Sequence, residues 1–352
     1  MITIVILSYF FSLISFLPSS GITHYSVRLL DFVRIQVTLS LIIILGLSFL
    51  LPIENGYLLI SAQIAAGISI VFQASIILPY LPIRKFFSQS KKRGPSITIL
   101  SVNVLQKNNN YQELIKLIKE LKPNILLTME TNKEWEKALS EIETDYSYSY
   151  KIPKENRYGM HFYTNLQVNK LEEHYLISDE RPAIKVQLTS NEDHQFVFWG
   201  IHPPPPSPTE KPTSRQKDAE LVKVAKLIGE SDLPCIITGD FNNVCWSKSA
   251  KLFSKISNLK DARLNNGIHG TFPVKPWIFR FPIDLIFSSK EIEVTKIKTL
   301  KDIGSDHLPI FSQFTLNSSI SKQKPNLDSE TINKAESIIK EGNQAVEEEE
   351  EE

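Results

Sequence analysis

The chain has only two cysteines among 352 residues, Cys235 and Cys245, and two thiols cannot build a disulfide framework. Their simplest role is as small buried hydrophobes, and they do not report the compartment. An excess of positive charge is also missing. Lys plus Arg and Asp plus Glu number 39 each, so no global basic field gathers nucleic acid by counterion release, which disfavours a DNA-coating role. A third absence is local: residues 1–83 are almost free of Lys, Asp and Glu, while the remainder reads as ordinary globular sequence. With 42% hydrophobic content, the chain is far above the size at which a core becomes hard to build and can hold one large domain plus extra segments.

The charge-poor quarter contains two long apolar runs, residues 35–52 and 57–82. Each approaches or exceeds the roughly 20 residues that span a hydrocarbon core of about 30 Å. They predict two transmembrane helices joined by a tight turn at PIENG. The alternative, a buried helix pair in a soluble domain, fits poorly with two uncharged runs so close together. Residues 1–17 are apolar but shorter, and lack the basic n-region and small-residue cleavage site of a signal peptide. They read as a third, shorter span. The membrane region is therefore expected over residues 1–83, with two or three helices. A basic linker follows at residues 84–95, RKFFSQSKKRGP, whose five positive charges and two phenylalanines suit the headgroup region.

From residue 96 to about 316 strands and helices alternate. SITILSVNV reads as a strand, Asn110 as the cap of a helix with Leu114, Leu117, Ile118 and Leu121 on one face, and NILLTME as the next strand after Pro123. Further strands are expected at MHFYTN, AIKVQL, QFVFWGIH, PCIITGDF, IDLIFS and IEVTKIKTL, and helices near 214–228 and 247–256. Many strands with few helices predict two packed sheets flanked by helices and not a parallel doubly wound sheet. Residues 317–352 are polar and end in six glutamates, which predicts a solvated, disordered acidic tail.

Strand ends are where side chains from different strands can converge on one rigid site. Asn103 closes the first strand and Glu130 the second, His202 follows FVFWGI, and Asp240 with Asn242 follows CIITG. Asp284 begins DLIF, and Asp306 with His307 lies in GSDHLP. Singly these are weak signals. A lone Glu at a strand end is usually a turn residue, a lone His is usually a hydrogen-bonded loop residue, and HPPPPSP alone reads as a stiff polyproline linker.

Taken in order, SVNV, LLTMET, GIHPPPP, TGDFN, IDLIF and GSDHLP resemble the endonuclease/exonuclease/phosphatase family, the DNase I-like hydrolases, over about residues 96–314. GDFN with a downstream SDHLP is the most specific part. The resemblance implies a four-layer α/β/β/α sandwich with its site where the two sheets open at one edge, here preceded by the transmembrane region. It further implies that Glu130 binds a divalent metal with Asn103 beside it, and that Asp240 orients or deprotonates the attacking water. Asn242 would help hold the phosphate, Asp306 would complete the metal or water arrangement, Asp284 would pair with His307, and His307 and His202 would contact phosphate oxygens. The chain departs from the family pattern at Met129, where Gln is frequent, and at Pro282, where Arg is frequent; Arg280 is a nearby substitute. RYGMHFYTN makes Arg157, His161 and Tyr163 second-rank candidates for substrate contact, with core or surface packing as the alternative for each.

Phosphoester hydrolysis requires such a set. Charge on the phosphoryl oxygens must be neutralised, a nucleophile generated near neutral pH and the leaving oxygen stabilised, and a hard cation, a carboxylate and imidazoles suit those tasks. Oxygen ligands favour Mg²⁺ or Mn²⁺ over Zn²⁺. The expectation is a membrane-anchored phosphoesterase, similar to the multi-span bacterial branch of the family, whose partners are the membrane and a phosphate substrate that is lipid-linked or membrane-associated. Nucleic acid is disfavoured by the charge balance, and no protein partner is implied. A nuclease and a catalytically dead binding module are the alternatives, and monoester, diester and pyrophosphate remain open. Arg28, Arg34 and the basic linker place the domain on the cytoplasmic side of a plasma or inner membrane by the positive-inside rule. The family branch points the other way, since some members are thought to work on the outer face.

Overall fold

The computed structural model describes residues 1–51, 56–83, 96–207, 210–316 and 322–351. The PIENG turn apart from its glycine, and the basic linker, lie outside the described residues. The charge-poor quarter folds into α1 (Ile2–Phe16), α2 (Tyr25–Phe32), α3 (Arg34–Ser48) and α4 (Gly56–Ile77). Two segments, the one containing α1 and the one containing α4, are long and apolar enough to cross a membrane. The pair α2 and α3, bent by 67° at their junction, makes a third if the two count as one span. The short helix α2 carries Arg28 and Asp31, so it escapes an apolar-run reading of the sequence.

The central strands of the following segment bury both faces, and residue parity decides which side chain goes to which layer. The first sheet contains β1 (Ser96–Asn103), β2 (Ile125–Met129), β3 (Tyr148–Ile152) and β4 (Met160–Thr164), completed by β11 (Ile292–Thr299) and β12 (Ile310–Leu316) in the order β11-β12-β1-β2-β4-β3. The second contains β5 (Gln167–Tyr175), β6 (Pro182–Thr189), β7 (Gln195–Ile201), β8 (Cys235–Asp240), β9 (Lys260–Asp261) and β10 (Asp284–Ser288) in the order β5-β6-β7-β8-β10-β9. One parallel pair sits inside each sheet, β1 with β2 and β7 with β8. Ile97, Ile99, Ile125 and Leu127 meet Ile184, Phe198, Ile236 and Ile286 between the sheets.

The opposite faces are covered by helices. Leu100, Val102 and Leu126 pack under α5 (Tyr111–Leu121) and α6 (Lys133–Leu139), while Trp199, Ile237 and Phe287 pack under α7 (Arg215–Glu230) and α8 (Lys248–Ser257). The result is the expected α/β/β/α sandwich. Four strands lie outside the runs recognised in the sequence: the half-exposed edge strands β3 and β5, whose sequences YSYKI and QVNKLEEHY carry little apolar alternation, the two-residue β9, and β12, IFSQFTL, a buried strand between β11 and β1. Asn110 stands at the N-cap position of α5 but its side chain makes no cap hydrogen bond.

One expectation is corrected. Residues 329–350 of the acidic tail form a helix, α9 (Ser329–Glu350), capped by Asp328, whose side chain accepts from Thr331 N at 2.8 Å. Its register carries small residues against α7: a Cβ added at Gly342 would lie 2.1 Å from Ala219 Cβ. Glu348 pairs with Arg215 and Glu349 with Lys211, so two glutamates of the exposed acidic end are tied to the sandwich by cations. The charge-poor region also packs on the sandwich. Ile76 and Tyr80 belong to the core under α7 and α8, with Tyr80 donating its hydroxyl to Cys245 O at 2.8 Å.

Candidate active site

Parity along the central strands also builds the site. Asn103 continues the face of Ile97 and Ile99, Asp240 that of Ile236, and Asp284 lies two residues before Ile286 on the same face. Each of these polar groups therefore points between the sheets, at the edge where apolar filling ends. Asp240 and Asp284 are directly paired across β8 and β10. Gly239 is required by the close approach of β7: a Cβ there would lie 1.9 Å from Ile201 O, and its φ is +154°. Immediately after the strands, Glu130 (φ +62°) and Asn242 (φ +48°) adopt left-handed backbone that non-glycine residues seldom take. Such strain persists where surrounding structure imposes it, and it concentrates at functional sites.

Asp240 is the hub. Its Oδ1 accepts from Asn242 N at 2.9 Å and its Oδ2 from Asn103 Nδ2 at 3.2 Å. His307 Nε2 lies 3.5 Å and His202 Nε2 3.8 Å from the same Oδ2. Asn103 Nδ2 also donates to Glu130 Oε1 at 3.0 Å, while its Oδ1 accepts from Leu105 N. Asn103 thus ties the two carboxylates together through its amide N–H groups, and its oxygen is engaged by the backbone. His307 Nδ1 lies 2.9 Å from Asp284 Oδ2. Ser305 Oγ donates to Asn103 O and accepts from His307 N, joining the SDHLP loop to the end of β1. The buried Lys217 donates to Asn242 O at 3.2 Å, and burial pushes its pKa down to about 8.

Burial raises the carboxyl of Asp240 above the ordinary range, with His307 pulling in the opposite direction. Burial works against a charge on His307, but Asp284 and then Asp240 outweigh it and raise the imidazole's pKa, leaving it protonated at neutral pH. His202 goes the other way, pushed down to about 3 by burial and by the neighbouring His307, and is neutral. Asp306 is raised by burial first and, against His307, by the charge of Glu130.

Asp240, Asp284 and His307 bring possible ligand atoms within 4.8 Å of one another. His307 Nδ1 meets Asp284 and its Nε2 faces Asp240, so the trio is held together by its own opposite charges. Glu130 and Asp306 fit a divalent ion better. They line the same cavity, offer only oxygen, and Asp306 Oδ1 is buried without a hydrogen-bond partner.

These groups face a cavity of about 320 Å³, also lined by Arg157, Tyr158, Pro205, Pro206, Glu210, Phe272 and Ile283 and by Leu29 and Phe32 of α2. A family model described as the Endonuclease/Exonuclease/phosphatase family matches residues 100–307, well over half of the chain. The chain belongs to this family. Members of the endonuclease/exonuclease/phosphatase family are metal-dependent hydrolases of phosphoric ester bonds. No curated protein matches the chain significantly. Among solved structures, D. rerio TDP2 complexed with single-strand DNA product is similar at 16% identity and a TM-score of 0.54, covering 62% of this chain and 99% of that one. The human Nocturnin catalytic domain with bound sulfate matches at 19% identity and 0.51, covering 63% and 94%. The Bacteroides thetaiotaomicron mannosyl-6-phosphatase matches at 19% and 0.50, covering 62% and 100%. At these identities the likeness establishes the fold.

The structure brings together Asn103, Glu130, His202, Asp240, Asn242, Asp284, Asp306 and His307, the set implied by the family resemblance. It separates the second-rank candidates. Arg157 does line the cavity, with its side chain 67% exposed and paired to Glu210 at 3.3 Å. His161 and Tyr163 do not. Met160 and Phe162 take the inter-sheet face of β4, so the residues between them point to the helix layer, where His161 is fully buried and lies 3.3 Å from the Tyr163 hydroxyl. Arg280 donates to Val274 O and Pro273 O, bracing its own loop outside the cavity lining. Sequence reasoning missed Tyr158, which tilts against His202 at 5.3 Å and donates to Glu210, and Phe272, which tilts against His307 at 4.8 Å. Parity applied to RYGMHFYTN would have removed His161 and Tyr163. Leu29, Phe32 and Lys217 left no signal in the motifs.

Proposed function

We propose that the chain is a membrane-anchored, divalent-metal-dependent phosphoesterase acting on a lipid-linked or membrane-associated phosphate ester or pyrophosphate. The observation that carries the reading is the placement of Asp240, a buried carboxylate whose partners are all donors, beside a protonated His307 and across Asn103 from Glu130. Asp240 accepts a proton from the attacking water, and its burial brings its basicity toward the neutral range where a general base is effective. The imidazolium of His307, oriented by Asp284, offers an N–H to a phosphoryl oxygen, as do neutral His202 and the amide of Asn242. A divalent cation, Mg²⁺ or Mn²⁺, held by Glu130 and Asp306 would neutralise charge on the phosphoryl group. Lys217 and Asn103 are positioning residues that act through Asn242 and the two carboxylates.

The membrane part of the reading is supported by the segments containing α1 and α4, each long and apolar enough to cross, with the bent pair α2 and α3 as a third if it counts as one span. The α2 end of that pair is fixed to the sandwich through Arg28, Asp31 and Phe32, which puts it on the side of the catalytic domain. The basic linker then argues for the cytoplasmic side. Among the described residues that line the cavity, Arg157 is the single Lys or Arg, and Glu210 offsets it. That composition favours a compact phosphate substrate over a polyanion. The test is hydrolysis by the full-length protein in detergent with Mg²⁺ of a lipid pyrophosphate, a phospholipid and plasmid DNA. Turnover of a lipid substrate supports the proposal. Preferential cleavage of DNA would replace it with a nuclease, and no turnover of any of the three would leave a binding module.

A further inference from the structure

One wall of the catalytic cavity does not come from the sandwich. Leu29 and Phe32, three residues apart on α2 and so on one helical face, line the same cavity as Asp240 and His307. The helix is pinned to the sandwich. Arg28 donates to Ser214 Oγ and Asp218 Oδ2, each at 3.2 Å, Trp246 Nε1 donates to Asp31 O at 2.8 Å, and Phe32 meets Phe281 edge-on at 5.3 Å. In this fixed helix Leu29 remains 47% exposed. Pro205, Pro206, Phe272 and Ile283 extend the apolar lining, while Arg157, Tyr158, Ser207 and Glu210 add polar groups to the same cavity.

The apolar character continues outward from the cavity. Phe272 starts a loop that reaches Trp277 and Ile278, which are 76% and 57% exposed. Gln36, near the start of α3, ties this loop to the candidate span by donating to Ile278 O at 2.8 Å. The loop that carries Phe272 out of the cavity wall thus presents, beside α3, exposed side chains that water disfavours and a bilayer interface accepts.

We infer that α2 is a specificity element of the active site: Leu29 and Phe32 receive the hydrocarbon chain of an amphiphilic phosphate ester whose phosphate sits at Asp240 and His307. This rests on the phosphoesterase reading above and deepens it. The N-terminal segment is then part of the substrate site as well as a tether, because burying a chain against these two residues adds binding in proportion to the apolar area covered.

The experiment compares kcat/KM of the full-length protein in detergent with Mg²⁺ on ethyl and dodecyl esters, each supplied as the phosphate and as the diphosphate, below the concentration at which the dodecyl compounds form micelles. The wild type should prefer the dodecyl member. Leu29→Ser should lower the dodecyl-to-ethyl ratio about tenfold, as expected when a pocket loses a few methylenes of contact, and Leu29→Met should restore it. An unchanged ratio in Leu29→Ser, with both esters turned over, overturns the inference and leaves the phosphoesterase reading intact. No turnover of either ester overturns that reading and the inference with it.

Discussion

Replacing Asp240 by asparagine removes the proposed base while hardly changing its volume, and the structure specifies what else follows. The groups nearest the carboxylate are donors: Asn242 N on Oδ1, and Asn103 Nδ2 and the protonated His307 Nε2 toward Oδ2, with neutral His202 farther off. An amide has one acceptor and one donor end, so either Asn242 N or Asn103 Nδ2 must face an N–H group. Leaving a buried donor without its partner costs about 1–3 kcal/mol, offset in part by the relief of burying a charge. Asp240→Asn should therefore fold and insert, with an apparent unfolding temperature moved by only a few degrees. Activity should suffer far more. Loss of a general base typically lowers the rate by ~10² to 10⁴, and His307 also loses one of the two carboxylates that hold its proton. The measurement is kcat on a water-soluble phosphate ester at saturating Mg²⁺, with thermal unfolding of the same preparation as the control. A folded variant with kcat within threefold of wild type would refute Asp240 as the base.

Four further outcomes are expected. Glu130→Gln should raise the Mg²⁺ concentration needed for half-maximal activity while leaving kcat at saturating metal much less affected; an unshifted metal titration removes Glu130 from the metal site. Glu220, buried with Arg181 at 3.3 Å, is pushed up to about 7 by burial. Between pH 4.5 and 7 the folded state keeps a proton that the unfolded state has released, so this residue's contribution to stability is lost as pH rises through 7, by about 3 kcal/mol. Thermal unfolding of Glu220→Gln should accordingly show a shallower decline over that window, and parallel wild-type and variant curves would count against it. Trp135, Trp199 and Trp246 are buried and Trp277 is exposed, so reconstitution into brominated phosphatidylcholine should quench fluorescence that Trp277→Phe removes; equal quenching of variant and wild type would take this loop off the bilayer. Alkaline phosphatase, active only after export, should be silent when fused to the C-terminus, whereas a fluorescent protein fused there should be bright, and strong phosphatase signal would put the sandwich outside.

Most central strands and the motifs at their ends were legible because buried strands read as apolar runs and the catalytic groups sit where those runs stop; β12, IFSQFTL, was missed although buried, its apolar run being broken by Ser312, Gln313 and Thr315. IITGDFN announces both the strand β8 and the residues it delivers. The edge strands β3 and β5 were not legible, since half-exposed edges carry no strong alternation. The acidic tail misled for a related reason: composition reports solubility, while α9 is held by a small-residue register against α7 and by cations at Lys211 and Arg215 that lie far away in sequence.

Hydrophobic patterning and motif order by themselves determined the apolar N-terminal region, the two-sheet sandwich and the residues of the candidate active centre, because each of these follows from local periodicity or from a short run of adjacent residues. Tertiary structure alone decided which groups share one environment. It faced Asp284 with Asp240 across β8 and β10, held one histidine charged and its neighbour neutral, turned His161 and Tyr163 away from the cavity, and placed Leu29 and Phe32 in its wall. Burial, charge coupling and cavity shape depend on distances between residues up to about 280 positions apart in the chain, and no local pattern carries that information.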